Sequence, residues 1–97
     1  MALFFEWDNQ KAQSNKKKHG ITFEEASTVF GDILSVTIPD TGHSVGEDRF
    51  VTIGLSANNK LIVVVHADRD DIIRVISARK ATSYERKQYE RKQYERA

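Results

Sequence analysis

Three runs of apolar and β-branched residues in the second half of the chain follow one another with very little sequence between them. They cover residues 48–55, 60–68 and 72–78. The separating segments, Ala57-Asn58-Asn59 and Arg69-Asp70-Asp71, are rich in residues that form turns. Runs and spacings of this length predict an antiparallel meander of three strands joined by two tight hairpins.

The first thirty residues predict one strand followed by two helices. Residues 3–8 are short, apolar and aromatic, as in a strand. Asp8 then suits the N-cap of a helix that runs to about Lys18 and ends at Gly20, where a left-handed conformation is readily adopted. Residues 22–25 (Thr-Phe-Glu-Glu) match a capping box, which predicts a second, short helix.

The remaining elements complete an α+β fold. Residues 33–38 predict a strand that Pro39 stops, and residues 40–46 form a loop. From Thr82 onward, strong helix formers predict a charged C-terminal helix. We therefore expect an N-terminal strand and two helices packed on an antiparallel meander, with a C-terminal helix. Both faces of the last meander strand carry apolar residues, so the helices should cover one face.

The predicted C-terminal helix repeats the unit Tyr-Glu-Arg-Lys-Gln. Each copy is five residues long, so successive copies are rotated by about 140° around the helix axis. Tyr84, Tyr89 and Tyr94 therefore cannot share one face. We expect only the first copy to pack on the sheet. Residues 1–97 then form a single domain in which about residues 90–97 are a solvated or frayed duplicated tail.

Length and composition exclude several classes of protein. The 97 residues allow one domain with a modest core, and the absence of cysteine excludes disulfides, thiolate metal sites and thiol nucleophiles. The start lacks the basic segment of a signal peptide, and the longest later apolar run, residues 61–65, is too short to span a bilayer. We expect a cytoplasmic protein that does not associate with membranes.

The two halves of the chain carry opposite charge. Residues 1–48 contain four basic and eight acidic residues, a net charge of −4, whereas residues 49–97 contain eleven basic and six acidic residues, a net charge of +5. This asymmetry predicts that a polyanion or an acidic partner meets the second half, and a merely solvated surface is the alternative.

Most catalytic motifs are missing, which leaves histidine and basic side chains. The sequence has no phosphate-binding glycine loop, no histidine pair spaced for zinc and no serine elbow. Cleavage of RNA by its own 2′-hydroxyl needs a base, cationic donors for the phosphate and an acid for the leaving oxygen. None of these roles requires a metal, so we expect neither a metal nor another cofactor.

The candidates for the cationic roles lie mostly in the basic half: Arg49, Arg69, Arg74, Arg79 and Lys80. The alternative is that these arginines form surface ion pairs with Glu47, Asp68, Asp70 or Asp71. Lys18, in a run of three lysines, either contacts phosphate or interacts with the helix dipole.

His66 and His19 are the candidates for proton transfer near neutral pH. His66 can equally be a hydrogen-bonded residue of the sheet, and His19 can complete a helix C-terminus. His43 is expected to be solvated in its loop. Among the N-terminal aromatics, Phe4, Phe5 and Trp7 are expected to anchor the core, with stacking on bases as the alternative.

Several separate motifs occur in a fixed order along nearly the whole chain. They are Phe5-Glu6-Trp7-Asp8, Lys11, Asn15, Lys18-His19-Gly20, Phe23-Glu24-Glu25-Ala26, Glu47-Asp48-Arg49-Phe50, Ile53-Gly54 and residues 74–82, Arg-Val-Ile-Ser-Ala-Arg-Lys-Ala-Thr. This succession resembles the BrnT toxin family from about Phe4 to about Tyr89. An ordered set of motifs is more specific than any single one of them.

The resemblance implies a RelE-like fold and a metal-independent endoribonuclease toxin that inhibits growth and translation. It also implies a BrnA-like antitoxin, a dimeric ribbon-helix-helix protein that forms a heterotetramer with the toxin. Operator DNA would be contacted only through that antitoxin, and the complex would repress its own operon. The alternatives are a non-catalytic RNA-binding module and a co-repressor.

Catalytic roles are expected for Arg69 and Arg79, which would clamp the scissile phosphate, and for His66 or His19, which would move protons. The expected RNA-binding residues are Lys18, Arg49, Arg74 and Lys80. The role of each tyrosine in the repeated tail stays open.

Overall fold

In the computed structural model, which describes residues 3–43 and 46–96, five strands form one sheet and three α-helices pack on it. The strands are β1 (Phe4–Glu6), β2 (Val36–Pro39), β3 (Arg49–Leu55), β4 (Leu61–Arg69) and β5 (Ile72–Lys80). The helices are α1 (Asn9–His19), α2 (Phe23–Thr28) and α3 (Ser83–Arg96). The strand order is β1-β5-β4-β3-β2, with β1 parallel to β5 and the other pairs antiparallel. The predicted meander and the α+β class are confirmed.

The predicted caps set the ends of the first two helices. The Asp8 carboxylate accepts hydrogen bonds from the backbone N–H groups of Gln10 and Lys11, and Gly20 ends α1 with a φ of 72°. At α2, the hydroxyl of Thr22 accepts from the N–H of Glu25 at 3.0 Å. Both caps satisfy backbone donors that a helix start leaves unpaired, so both predicted helices are confirmed.

The strand predicted over residues 33–38 begins later, at Val36. Asp32 holds the preceding residues in a turn, because its carboxylate accepts from the N–H of Leu34 at 2.9 Å and its carbonyl from Ser35 at 3.0 Å. Pro39 is the last residue of β2 and does not lie beyond it. Since β2 is an edge strand, the missing N–H of proline is tolerated there.

The helices α1 and α2 cover one face of the sheet, as predicted. The core lies between these two helices and the sheet and consists of Ile21, Phe23, Ala26, Val29, Ile62, Val64, Val75 and Ala78. Val65 pairs with Ser77 and His66 pairs with Val75, so Ile76 is an extra residue in β5. This bulge lets Val75 and Ala78 point to the same face although they are three residues apart. We name the face of the sheet that α1 and α2 cover the helical face.

Two of the three N-terminal aromatics pack in the core, and one does not. The ring of Phe5 lies 5.5 Å from that of Phe30, and Trp7 meets Phe23 edge-on at 5.9 Å. Phe4 points to the opposite side of β1 and keeps 59% of its surface exposed. The expectation of a core position is therefore confirmed for Phe5 and Trp7 and is wrong for Phe4, because neighbouring residues of a strand face opposite ways.

One asparagine takes the place of a strand at the edge of β5. Strand β1 pairs only with residues 72–74, and no other strand of the described segments pairs with that edge. The buried Asn15 of α1 accepts from the N–H of Ala78 at 3.1 Å and donates to its carbonyl at 2.8 Å. Its amide also donates to the carbonyl of Ile21 at 3.0 Å. Asn15 thus satisfies three backbone groups and joins α1 to the sheet.

The helix α3 packs on the other face through the second copy of the repeat. Tyr89 is 6% exposed, and its hydroxyl donates to the Asp32 carboxylate at 2.6 Å. Tyr84 and Tyr94 are 71% and 84% exposed. The first copy of the repeat is expected to pack on the sheet, and this expectation is wrong for its tyrosine, Tyr84. Glu85 and Tyr89 are four residues apart and share the side of the helix that meets the sheet, which turns Tyr84 away.

We expect that removing residues from Gln93 onward changes the melting temperature by only a few degrees. Of residues 90–95, only Gln93 is half-buried, and Tyr89 supplies the buried contact of α3. Thermal unfolding of the full chain and of a chain ending at Lys92, followed by circular dichroism, measures the difference. A fall of many degrees would show that the tail is part of the packed domain.

Candidate active site

The face opposite α1 and α2 carries four arginines. Strand register aligns one row across four strands: Glu6, Arg74, Ala67 and Arg49. Arg69 lies two residues beyond Ala67 on β4. Arg79 of β5 pairs with Val63, which lies four residues before Ala67 on β4. Because side chains alternate along a strand, all four arginines point to this side. We name it the arginine face.

A cleft of about 270 Å³ opens at one end of the arginine face. It is lined by Glu6, Glu47, Ala67, Asp68, Arg69, Ile72 and Arg74. The small side chain of Ala67 leaves a gap in the row between Arg74 and Arg49. The cleft therefore combines basic donors with carboxylate acceptors.

The arginines of the row are held by exposed carboxylates. Arg74 donates to Glu6 at 2.8 Å, and Arg49 donates to Glu47 at 3.4 Å. Within residues 3–43 and 46–96, the side chain of Arg69 makes no hydrogen bond or ion pair. The side chains of Arg74 and Glu6 are about half exposed, and exposed pairs of this kind contribute well under about 1 kcal/mol. A phosphate can therefore replace these carboxylates as the partner of the arginines with little loss.

Arg79 forms the strongest ion pair of the arginine face. Its two terminal nitrogens donate to the two carboxylate oxygens of Glu85, at 2.7 and 2.8 Å. The N–H of Thr82 donates to the same carboxylate at 2.9 Å, and the Thr82 hydroxyl accepts from the N–H of Glu85. The Arg79 guanidinium and the Thr82 N–H lower the pKa of Glu85 from an ordinary 4.5 to about 2, although partial burial opposes the shift. The same pair raises the pKa of Arg79.

The Arg79–Glu85 pair should make the stability of the fold depend on pH in acid. Since the pKa of Glu85 is lower in the folded chain, the unfolded chain binds more protons between about pH 4.5 and about pH 2. The stabilisation is complete above this window and is lost as the pH falls through it. We expect the free energy of unfolding of the parent and of Glu85→Gln to converge across the window. Urea titrations test this, with Glu90→Gln, the exposed equivalent in the second copy, as control. Parallel curves for parent and Glu85→Gln would contradict it.

Arg69 and Arg79 share the arginine face but lie far apart on it. Their register positions on β4 are six residues apart, which corresponds to about 20 Å of strand. Arg79 is also fastened to Glu85. The geometry thus brings Arg69 together with Arg74, and places Arg79 where it would meet another part of a long ligand.

His66 lies on the helical face and is 1% exposed. Its Nε2 and Nδ1 atoms lie 2.7 Å from the hydroxyl of Thr52 and 2.6 Å from the carboxylate of Asp68. Phe30 meets the ring edge-on and Phe50 stacks on it. The structure therefore does not bring His66 to the arginines, and its contacts are those of a hydrogen-bonded core residue.

The other predicted basic residues lie away from the cleft. His19 and Lys18 line a separate hollow at the end of α1, beside Ile76 and Ser77. Lys80 is exposed as the last residue of β5. The side chain of His43 lies outside the described residues. The side chains of Lys18, His19 and Lys80 do not line the cleft at Arg74.

The sequence matches a known family over most of its length. Residues 7–85 match the family described as "Ribonuclease toxin, BrnT, of type II toxin-antitoxin system". The chain belongs to the BrnT family. The matched residues include the four arginines of the arginine face, Glu47 and Glu85, whereas Phe4 and Glu6 precede the matched region.

A solved structure supports the fold of this BrnT-family chain. It is the crystal structure of the Brucella abortus ribonuclease toxin BrnT, with a TM-score of 0.65 and 24% sequence identity. The alignment covers 84% of the present chain and 100% of that one. A search of curated protein sequences finds no match. At this level of identity the likeness shows the shared fold.

Of the three carboxylates that line the cleft, sequence reasoning named Glu47 and Asp68 only as surface partners of the arginines, and it missed Glu6. Glu6 occurs in a motif that resembles the BrnT family, but nothing local marks it as part of a site. Glu6 meets Arg74 only because β1 pairs with β5. Across the described segments, no group of three or more histidine and acidic side chains is arranged to hold a metal ion, and no helix could cross a membrane.

Proposed function

We propose that this BrnT-family toxin cleaves single-stranded RNA at the cleft of the arginine face, without a metal ion. The observation that carries the proposal is the row in which Glu6 and Arg74 lie side by side on β1 and β5 and Arg49 lies across Ala67 on β3, with Arg69 next to the row. The row combines a carboxylate, which can accept a proton, with guanidinium groups, which match the geometry of phosphate.

In the proposed reaction, Glu6 accepts the proton of the ribose 2′-hydroxyl. The 2′-oxygen attacks the neighbouring phosphorus, and the bond from phosphorus to the 5′-oxygen breaks. Arg74 and Arg69 stabilise the negative charge that grows on the phosphate oxygens. The leaving 5′-oxygen takes a proton from water, because the cleft is open to solvent.

The other predicted site residues receive supporting roles. His66 fixes the sheet from the helical face through Thr52 and Asp68. Arg79, Lys80, Lys18 and His19 guide the RNA strand beyond the cleft through its phosphates. Proton transfer is assigned to Glu6 and not to a histidine, because His66 is buried away from the arginines and His19 lines a separate hollow.

Incubation of the purified chain with single-stranded RNA in a chelator tests the proposal. We expect fragments that end in a 2′,3′-cyclic phosphate, and no cleavage of RNA whose 2′-hydroxyls are methylated. Cleavage only after addition of magnesium would contradict the metal-independent mechanism. RNA that is bound but stays intact would favour the alternative of a non-catalytic RNA-binding module.

We also propose that a dimeric BrnA-like antitoxin of the ribbon-helix-helix class neutralises the toxin in the cytoplasm. The heterotetramer would bind operator DNA through the antitoxin and repress its own operon. An acidic or apolar segment laid on the arginine face would neutralise its charge and exclude RNA. Charge reversal at Arg74 and Arg79 should then weaken the complex in a pull-down, and an unchanged complex would contradict this placement.

A further inference from the structure

Phe4 is an exposed aromatic residue at the cleft end of the arginine face. Its backbone N–H donates to the carbonyl of Asp71 at 3.0 Å, which fixes β1 beside β5. Strand register places Phe4 opposite Ile72, and Ile72 opposite Arg69. The phenyl ring therefore stands one row away from the Glu6–Arg74 pair, on the same side of the sheet.

The exposure of Phe4 contrasts with the environment of its neighbours. Phe5, the next residue, is packed against Phe30, and Trp7 is packed against Phe23. A ring that keeps 59% of its surface exposed contributes little to the core. Among the described residues, no aromatic ring packs against that of Phe4.

The surroundings of Phe4 favour a nucleobase as the group that covers the ring. Arg69 lies on the same row as Phe4, beyond Ile72, and Arg74 lies on the next row, so both can attract a polyanion to the ring. Proteins that bind single-stranded nucleic acid combine such cations for the backbone with aromatic rings on which bases stack. An apolar peptide would also cover the ring but would leave the adjacent arginines unmatched.

We propose that Phe4 is a stacking platform for the RNA base next to the scissile phosphate. This inference rests on the proposed function, since it assigns a base to the same cleft. The ring holds the base while Arg74 and Arg69 hold the phosphate, so that the 2′-hydroxyl stays beside Glu6. Phe4 is thus a binding residue that positions the substrate.

Binding of methylated RNA, which cannot be cut, measures this role directly. The probes are a 2′-O-methyl oligouridylate and an abasic strand with the same number of phosphates. We expect Phe4→Ala to weaken binding of the oligouridylate about 5- to 150-fold and to leave binding of the abasic strand unchanged. Phe4→Trp should restore the affinity, and Phe4→Leu should not. Tyr94→Ala, which removes another exposed ring far along α3, is the matched control.

The outcomes separate this inference from the proposed function. A parent chain that binds neither probe would overturn the RNA-binding face and, with it, the platform. A parent that binds both probes, with Phe4→Ala binding the oligouridylate equally well, would overturn the platform alone. Full affinity of Phe4→Leu for the oligouridylate would also overturn the platform, because leucine offers apolar contact but no ring on which a base can stack. Loss of antitoxin binding in Phe4→Ala, with RNA binding intact, would assign the ring to the protein partner instead.

Discussion

Replacing Arg74 with alanine is expected to slow RNA cleavage by a factor of about 10² to 10³. Arg74 lies at the centre of the cleft, beside the proposed base Glu6 and across Ala67 from Arg49. Its removal leaves the charge that develops on the phosphate without its nearest donor. Arg74→Lys should restore little of the rate, because a lysine cannot pair with both a carboxylate and a phosphate through a planar fork.

The C-terminal helix offers a matched control for this experiment. Arg91 is exposed on α3 and carries the same charge, so Arg91→Ala alters the net charge equally without touching the cleft. The rates of the parent and both variants are measured from the first-order disappearance of one labelled RNA. Melting temperatures should agree within a few degrees, since the pair of Arg74 and Glu6 is exposed. Equal rates for Arg74→Ala and Arg91→Ala would remove Arg74 from the site.

Replacing Asn15 with alanine is expected to lower the free energy of unfolding by about 3 kcal/mol or more. The substitution leaves the N–H and carbonyl of Ala78 and the carbonyl of Ile21 without the partner that satisfies them. Each buried polar group that loses its hydrogen bond costs about 1 to 3 kcal/mol. For a domain of this size the melting temperature should fall by more than about 10 °C.

Ser14 provides the control for the Asn15 substitution. It is the preceding residue of α1 and is exposed, so Ser14→Ala tests the effect of alanine on the helix alone. Thermal and urea unfolding of the two variants compare the losses. A melting temperature of Asn15→Ala within about 2 °C of that of Ser14→Ala would show that water replaces the side chain at the edge of β5.

The elements of the fold could be predicted because their signals are local. Asp8 and Thr22 act on backbone groups two or three residues away. The hairpin turns also carry their own chemistry, since Asn59 and Asp70 adopt positive φ values of 62° and 54°. Asparagine and aspartate tolerate this conformation better than most residues. Such short-range effects are readable in a sequence without knowledge of its partners.

The site could be predicted only in part, because it depends on pairing between distant residues. Glu6 and Arg74 are 68 positions apart and meet through the parallel pairing of β1 with β5. The extra residue at Ile76 shifts the alternation of β5, so counting by twos from Arg74 puts Arg79 on the wrong face. The arginines could be selected by their chemistry, but their arrangement on the sheet follows from strand register.

The surroundings of His66 could not be predicted from the sequence for the same reason. Its residue type made it a candidate for proton transfer. Strand alternation instead directs it to the helical face, where Thr52, Asp68 and two aromatic rings surround it. Residue type suggested its chemistry, whereas burial determines whether a substrate can reach it.

Mapping the RNA contact by nuclear magnetic resonance tests the central claim, that RNA binds on the arginine face. A methylated oligonucleotide is added to ¹⁵N-labelled protein, and amide shifts are followed along the chain. We expect small changes in α2 and the largest shifts in the row and beside it, at Glu6, Arg49, Ala67, Arg69 and Arg74. Shifts confined to the end of α1, around residues 16–19, with the row unaffected, would contradict it.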